Sequence, residues 1–255
     1  MLYNLYYSPT GGTKKAAIAF AEGFNYDRKD INFFSKSETL ESLELKKEDL
    51  LIVSCPCYGG VAPFPAINKL HNIKGNDTLA IVVAVYGNRA TDDELLQLQD
   101  TLKERGFRVI AGVEALAEHS LARNVAKGRP NNNDKDVLKG FAKEITKLID
   151  TKTWNKDLVL PGNRPYKEFH GSGTKPICSP DNKCIQCHSC YSNCPVDAIS
   201  EDKPWEQDND KCISCMHCVS ICPTGARIID PIKSKGTEEK LMSMCPEAKE
   251  NKLFV

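Results

Sequence analysis

The 255-residue sequence has no net charge, with 34 Lys and Arg set against 34 Asp and Glu. It therefore lacks the electrostatic footprint of a nucleic-acid or membrane-surface binder. No apolar run of about 18 residues is present, so no membrane span is expected. A strand-like run follows Met1 directly, with no charged n-region or cleavage site before it, and a cytoplasmic location is expected. Two phosphate-site signatures are also missing. Without Gly-Lys-Ser/Thr an NTPase is disfavoured, and without Gly-x-Gly-x-x-Gly direct NAD(P)H oxidation has no support.

Cysteine is abundant. Of twelve, ten fall between Cys178 and Cys245. In a secreted chain that would suggest disulfides; in a reducing compartment it suggests metal. With 41% hydrophobic and 27% charged residues, the chain can bury a sizeable core and has room for two domains. The zero net charge hides a local difference. Between Lys175 and Gly225 four basic residues meet seven acidic ones, a net of −3 that the remainder balances.

Residues 1–150 alternate strand and helix patterns. Apolar runs at 2–7, 31–34, 50–55, 79–86 and 107–116 predict five strands. The runs at 50–55 and 79–86 are continuous, as parallel strands covered on both faces require. Ala17, Phe20, Ala21 and Phe24 mark one helical face, and Leu138, Phe141, Ile145 and Leu148 another. Thr91 and Glu94 form a capping-box signal ahead of Leu95. The expectation is a doubly wound α/β domain with a five-stranded parallel sheet. Residues 151–177, rich in Pro and Gly, read as a linker, 178–230 as a second small domain, and 231–255 as a tail of unassigned role with one possible helix.

The second domain contains an internal repeat. Cys184-x2-Cys187-x2-Cys190-x3-Cys194-Pro195 recurs 28 positions later as Cys212-x2-Cys215-x2-Cys218-x3-Cys222-Pro223. Three cysteines at intervals of three wrap a cubane, and the fourth, beside proline, reaches the other cluster. Two [4Fe–4S] clusters are expected, one on Cys184, Cys187, Cys190 and Cys222, the other on Cys212, Cys215, Cys218 and Cys194. Structural zinc is the alternative, but zinc sites pair two short Cys-x-x-Cys units across a long gap. The repeat resembles bacterial two-cluster ferredoxins, which implies a small α+β fold and one-electron transfer.

At the other end, Ser8-Pro9-Thr10-Gly11-Gly12-Thr13 follows the first strand and opens the first helix. Small residues there let backbone N–H groups close on a phosphate, and the hydroxyls of Ser8, Thr10 and Thr13 add donors. The pattern Ser/Thr-x-Thr-Gly-x-Thr resembles the phosphate loop of flavodoxins and implies FMN, held by Ser8, Thr10, Gly11, Gly12 and Thr13. The same resemblance puts the flavin ring against Pro56, Tyr58, Gly59 and Gly60 after the third strand, and Tyr86, Gly87, Asn88 and Arg89 after the fourth. The chain as a whole resembles the flavodoxin–ferredoxin fusion proteins of anaerobic bacteria and archaea.

Other residues read more plainly. Cys55 and Cys57 are expected to pack, as Pro56 stiffens the link between them. Cys178 and Cys245 match neither repeat and read as structural thiols. His188 and His217 lie inside complete cysteine sets, so packing or sulfur hydrogen bonding is expected of them. His119 reads as a satisfied loop histidine ahead of a proton donor. The functional expectation is an electron carrier that joins two [4Fe–4S] clusters to FMN and serves redox partner proteins. The rivals are an FMN-dependent reductase of a quinone, nitro compound or flavin, and a two-cluster ferredoxin whose α/β domain only docks.

Overall fold

The structure, a computed structural model, describes every residue except Ser42, Glu44, His170 and 180–182. Asp181, counted in the acidic balance above, lies outside the described residues.

Strands β1 (Leu2–Tyr6), β2 (Arg28–Asn32), β3 (Leu50–Pro56), β4 (Leu79–Tyr86) and β5 (Arg108–Leu116) form a parallel sheet. A sixth strand, β8 (Lys252–Phe254), closes it in the order β2-β1-β3-β4-β5-β8. The expectation of five strands is thus corrected. The tail supplies β8, which runs antiparallel along β5, pairing Gly112 with Phe254 and Glu114 with Lys252. A three-residue strand with one inward apolar side is too short to show period 2 in sequence.

β2 also lies earlier than its apolar residues suggested. As an edge strand, with Arg28, Lys29 and Asp30 in register with β1, it needs little burial. Phe33 and Phe34 follow it and turn into the core beyond the strand end. β3 and β4 are buried almost throughout, as their continuous apolar runs require.

Helices α1 (Gly12–Ala21) and α4 (Asn132–Thr151) cover one face, with Phe20, Leu138, Ala142 and Ile145 packed on Ile52, Ile81 and Val113. Helices α2 (Phe64–Leu70) and α3 (Glu94–Glu104) cover the other through Leu70, Leu95, Leu98 and Leu102. The capping box expected at Thr91 and Glu94 does not form. Asp93 is the N-cap of α3, and the Thr91 hydroxyl donates to Glu114 instead. The reciprocal box appears at α4, between Asn131 and Asp134.

Residues 151–177 do not hang free. Leu158 and Leu160 enter the α2–α3 core. The Gln99 side chain donates to the Leu158 carbonyl at 2.9 Å and accepts from the Leu160 N–H at 3.3 Å. Further along, both carboxylate oxygens of Asp93 accept from the backbone, at Asn163 and Lys167.

The cysteine-rich part holds a small antiparallel pair, β6 (Pro176–Cys178) and β7 (Arg227–Ile229). It also holds two four-residue helices, α5 (Ser189–Ser192) and α6 (His217–Ser220). Helix α7 (Pro231–Met244) then crosses back to the α/β domain, where Ser234 Oγ donates to the Leu121 carbonyl at 2.7 Å. Ile213 and Cys215 belong to the same apolar cluster as Tyr7, Val53 and Leu95, so the two parts share a core. Among the described residues, no helix is long and apolar enough to cross a membrane.

Candidate redox site

The cysteine repeat is also a backbone repeat. Gln186 and His188 have positive φ (54° and 57°), and so do Ser214 and Met216, 28 positions on (57° and 59°). Non-glycine residues in this region cost about 1–3 kcal/mol each and persist where the surroundings over-determine them. Here the turns bend each loop so that its three cysteines face inward. The thiols ring two small cavities. Cys184, Cys187, Cys190 and Cys222 line one; Cys194, Cys212, Cys215 and Cys218 line the other.

Among the described residues, no three His, Cys, Asp or Glu side chains are grouped as ligands of a single metal ion. Eight thiols spread in fours around two cavities form a donor set suited to a cubane, which presents several irons at once. Burial pushes the thiols of Cys215 and Cys218 up, the latter to about 12, so holding thiolates there requires cations supplied by the occupant. Cys178, read as a structural thiol, also lines the first cavity, a placement its spacing did not signal.

A third cavity, a cleft of about 230 Å³, opens at the carboxyl ends of β1, β3, β4 and β5. Thr10, Gly12, Thr13, Pro56, Tyr58, Gly59, Tyr86, Gly87 and Arg89 line it, bringing together nine of the thirteen expected flavin-site residues. The other four have different work. Ser8 is buried, and its hydroxyl accepts from the Lys14 N–H at 2.9 Å, bracing the loop from within. Gly11 supplies a φ of +91° at the N-cap of α1, and a Cβ there would meet no atom within 4 Å, so its requirement is conformational. Gly60, with φ +104°, lets Asp92 close on its backbone and accepts the Asp93 N–H at 2.8 Å. Asn88 turns away and binds the tail, donating to the carbonyls of Cys245 and Glu247 and accepting from the Lys249 N–H at 2.8 Å.

Helix α1 starts at the cleft with Gly11 at its N-cap and no acidic residue in its first turn, and Ser8 Oγ takes the Lys14 N–H. Its N-terminal amides and the positive end of its dipole favour an anion. Arg89 lines the cleft, but its guanidinium is ion-paired with Asp92. Tyr86 presents its ring, while its hydroxyl donates to the Glu250 carbonyl. Tyr58 packs its ring 5.9 Å from that of Phe169, and a side chain on Gly59 would collide with the same phenylalanine.

Three lining residues escaped the sequence reading: Phe169, Thr237 and Leu241 face the cleft beside Cys57, His119 and Ser120, which the sequence placed at this end. Phe169, Thr237 and Leu241 come from the linker and α7, too far along the chain for any local signal. His119 is half-buried, and its Nδ1 accepts from the N–H groups of Leu121 and Ala122, both at 3.2 Å. Burial, followed by the positive charge of Arg89, lowers its pKa to about 4, so the ring is neutral with its proton on Nε2.

The cleft and the second thiol cavity share a wall. Ile213 and Ser214, between Cys212 and Cys215, line the cleft themselves. His217, between Cys215 and Cys218, hydrogen-bonds the phosphate-loop carbonyl of Pro9.

Residues 183–226 match the sequence profile of the 4Fe-4S dicluster domain. Comparison with curated proteins gives no match. The chain is similar to oxidised flavodoxin 1 from Bacillus cereus at 18% identity, covering 57% of this chain and 97% of that one, with a TM-score of 0.41. It is similar to a Fusobacterium nucleatum flavodoxin bound to flavin mononucleotide at 17% identity, 57% and 96% coverage and a TM-score of 0.41. It is also similar to rubredoxin oxygen:oxidoreductase from the anaerobe Desulfovibrio gigas at 20% identity, covering 59% of this chain and 36% of that one, with a TM-score of 0.45. The fold itself is assigned from the strand order, in which β2-β1-β3-β4-β5 is the flavodoxin-like doubly wound arrangement. The chain thus joins an α/β domain of flavodoxin-like fold to a cysteine-rich segment, 183–226, that matches the 4Fe-4S dicluster domain.

Proposed function

We propose that this chain is an electron-transfer iron–sulfur flavoprotein holding two [4Fe–4S] clusters in the two thiol cavities and FMN in the cleft. When bound, the clusters exchange single electrons, and FMN links one-electron to two-electron exchange. The observation that carries the reading is the shared wall: Ile213 and Ser214 belong at once to a cysteine loop and to the cleft.

The chain's own residues divide the work. The amides at the start of α1 would take the phosphate, without a lysine. Tyr58 and Tyr86 would flank the ring, and Gly59 keeps the backbone close. The buried side chains of Tyr7, Ile213 and Cys215 exclude water between the cleft and the second cavity. The first cavity lies outward, with Cys187 and Ile185 exposed at its rim, where a redox partner protein would exchange electrons. We assign the protein to the reducing cytoplasm, where thiolates remain free for cluster assembly.

A second reading is favoured by His119. Its fixed tautomer leaves an Nε2–H donor on a ring that lines the cleft, a feature suited to a small reducible acceptor such as a quinone or nitro compound. Anaerobic purification followed by iron, sulfide and flavin analysis tests the main reading. About eight irons, about eight sulfides and one FMN per chain are expected. Zinc in place of iron, or a protein that stays empty with excess FMN, would overturn the corresponding half. Fast saturable turnover with one class of small acceptor would select the reductase.

A further inference from the structure

The 28-residue repeat provides a comparison within one chain. Beyond each Cys-Pro pair the backbone passes through a positive φ, 51° at Asp197 and 66° at Gly225. It then sends an N–H back to the cysteine sulfur, from Ala198 to Cys194 at 3.3 Å and, one position further along in the second repeat, from Arg227 to Cys222 at 3.4 Å. At the next matched position the repeat breaks. Ile199 lines the cavity of Cys194, Cys212, Cys215 and Cys218. Its counterpart 28 residues on is Arg227, which lines the cavity of Cys184, Cys187, Cys190 and Cys222.

Arg227 is only 3% exposed. Its Nη1 donates to Gln207 Oε1 at 2.8 Å, and its Nη2 to the carbonyls of Pro204 and Glu206. These acceptors are all neutral, and its buried Nε has no partner. No Asp or Glu carboxylate among the described residues pairs with it. A guanidinium buried without a counter-charge is strongly disfavoured. The anion that this wall can meet is a cluster carrying four thiolates.

We propose that Arg227 is the buried counter-charge of the cluster held by Cys184, Cys187, Cys190 and Cys222, and that it makes the two clusters inequivalent by favouring reduction of this one. The proposal rests on the reading that both cavities hold [4Fe–4S] clusters. Reduction adds one electron, and hence one negative charge, to a cluster. A fixed cation in the wall stabilises that form and raises the potential. The matching place in the wall of the other cavity is held by the uncharged Ile199, so the effect on that cluster is smaller. The favoured cluster is the outer one. The first electron, from any low-potential reductant, therefore rests where a partner can reach it, and the inner cluster serves as the relay to the cleft.

The test is an anaerobic potentiometric titration with dithionite and mediators, followed by electron paramagnetic resonance. It uses full-length wild type, Arg227→Met and Arg227→Lys, with iron measured on each. A Cys187→Ser variant marks the outer cluster by its altered signal. Wild type should show two separated potentials, the outer higher. In Arg227→Met the outer potential should fall more than the inner and the separation should shrink, while Arg227→Lys should retain most of it. A wild type whose clusters titrate together would overturn the proposal, whether or not the variants fold. So would an unchanged separation in iron-replete Arg227→Met, or a lysine variant that behaves like methionine. Wild type without iron would overturn the underlying functional reading instead.

Discussion

His217 Nδ1 lies 2.6 Å from the carbonyl oxygen of Pro9, joining the second cysteine loop to the first turn after β1. A carbonyl can only accept, so the histidine carries its proton on Nδ1. Its ring also sits 4.3 Å from that of Phe34. His217→Ala removes this bond, worth about 0.5–1.5 kcal/mol net. Flavin retention should weaken by roughly 2- to 10-fold while iron content stays at the wild-type value. Equilibrium dialysis of FMN beside an iron assay measures both, and wild-type flavin affinity would show the contact to be dispensable.

Gly11 and Gly59 should fail for different reasons. At Gly11 the added Cβ has space, so Gly11→Ala isolates the backbone penalty at φ +91°, about 1–2 kcal/mol. At Gly59 the Cβ would also run into Phe169, so Gly59→Ala should cost more. Replacing both Gly59 and Phe169 by Ala should recover part of that loss. Flavin per chain after gentle purification ranks the variants, and equal loss in Gly59→Ala with and without Phe169 would remove the steric explanation.

Cys194 belongs by sequence to the first repeat but lines the cavity of the second. Cys194→Ser should therefore damage the cluster on Cys212, Cys215 and Cys218 and spare the other. Electron paramagnetic resonance of the reduced variant discriminates the two, and selective loss of the cluster on Cys184, Cys187 and Cys190 would contradict the crossed assignment.

His119 predicts an acid-sensitive fold. Its pKa falls from the ordinary 6.5 to about 4, because burial penalises the charged ring. The native state therefore binds fewer protons than the unfolded chain between these values. The stabilisation is full above about pH 6.5 and is lost as pH falls toward 4, with a ceiling of about 3 kcal/mol. Protonation would also turn Nδ1 into a donor facing the N–H groups of Leu121 and Ala122. Urea midpoints at pH 7 and pH 5 should differ more for wild type than for His119→Asn, and parallel losses would clear the histidine.

What could be read in advance was what depends on short stretches of chain. Continuous apolar runs identified β3 and β4, because strands covered on both faces have no polar side to display. The cysteine spacing predicted both thiol sets, including the crossing, because each loop must wrap its cavity with ligands a few residues apart. The turn from β1 into α1 was legible for the same reason, as strand, turn and helix start lie within about a dozen residues.

Other features were illegible because their causes lie far away in sequence. β8 exists because β5 offers an unpaired edge and Asn251 bridges the Leu116 N–H and Asp134. Asn88 stands in a flavin-like loop, yet its amide serves the tail. Arg227 is one residue off an otherwise faithful repeat, and its meaning depends on burial without a carboxylate. The sequence by itself determined which residues can ligate, turn or pack, since those are properties of side chains and their spacing. Only the tertiary structure decided that Ile213 and Ser214 stand between a thiol cavity and the cleft, because that wall forms where segments about 200 residues apart bury a common apolar surface.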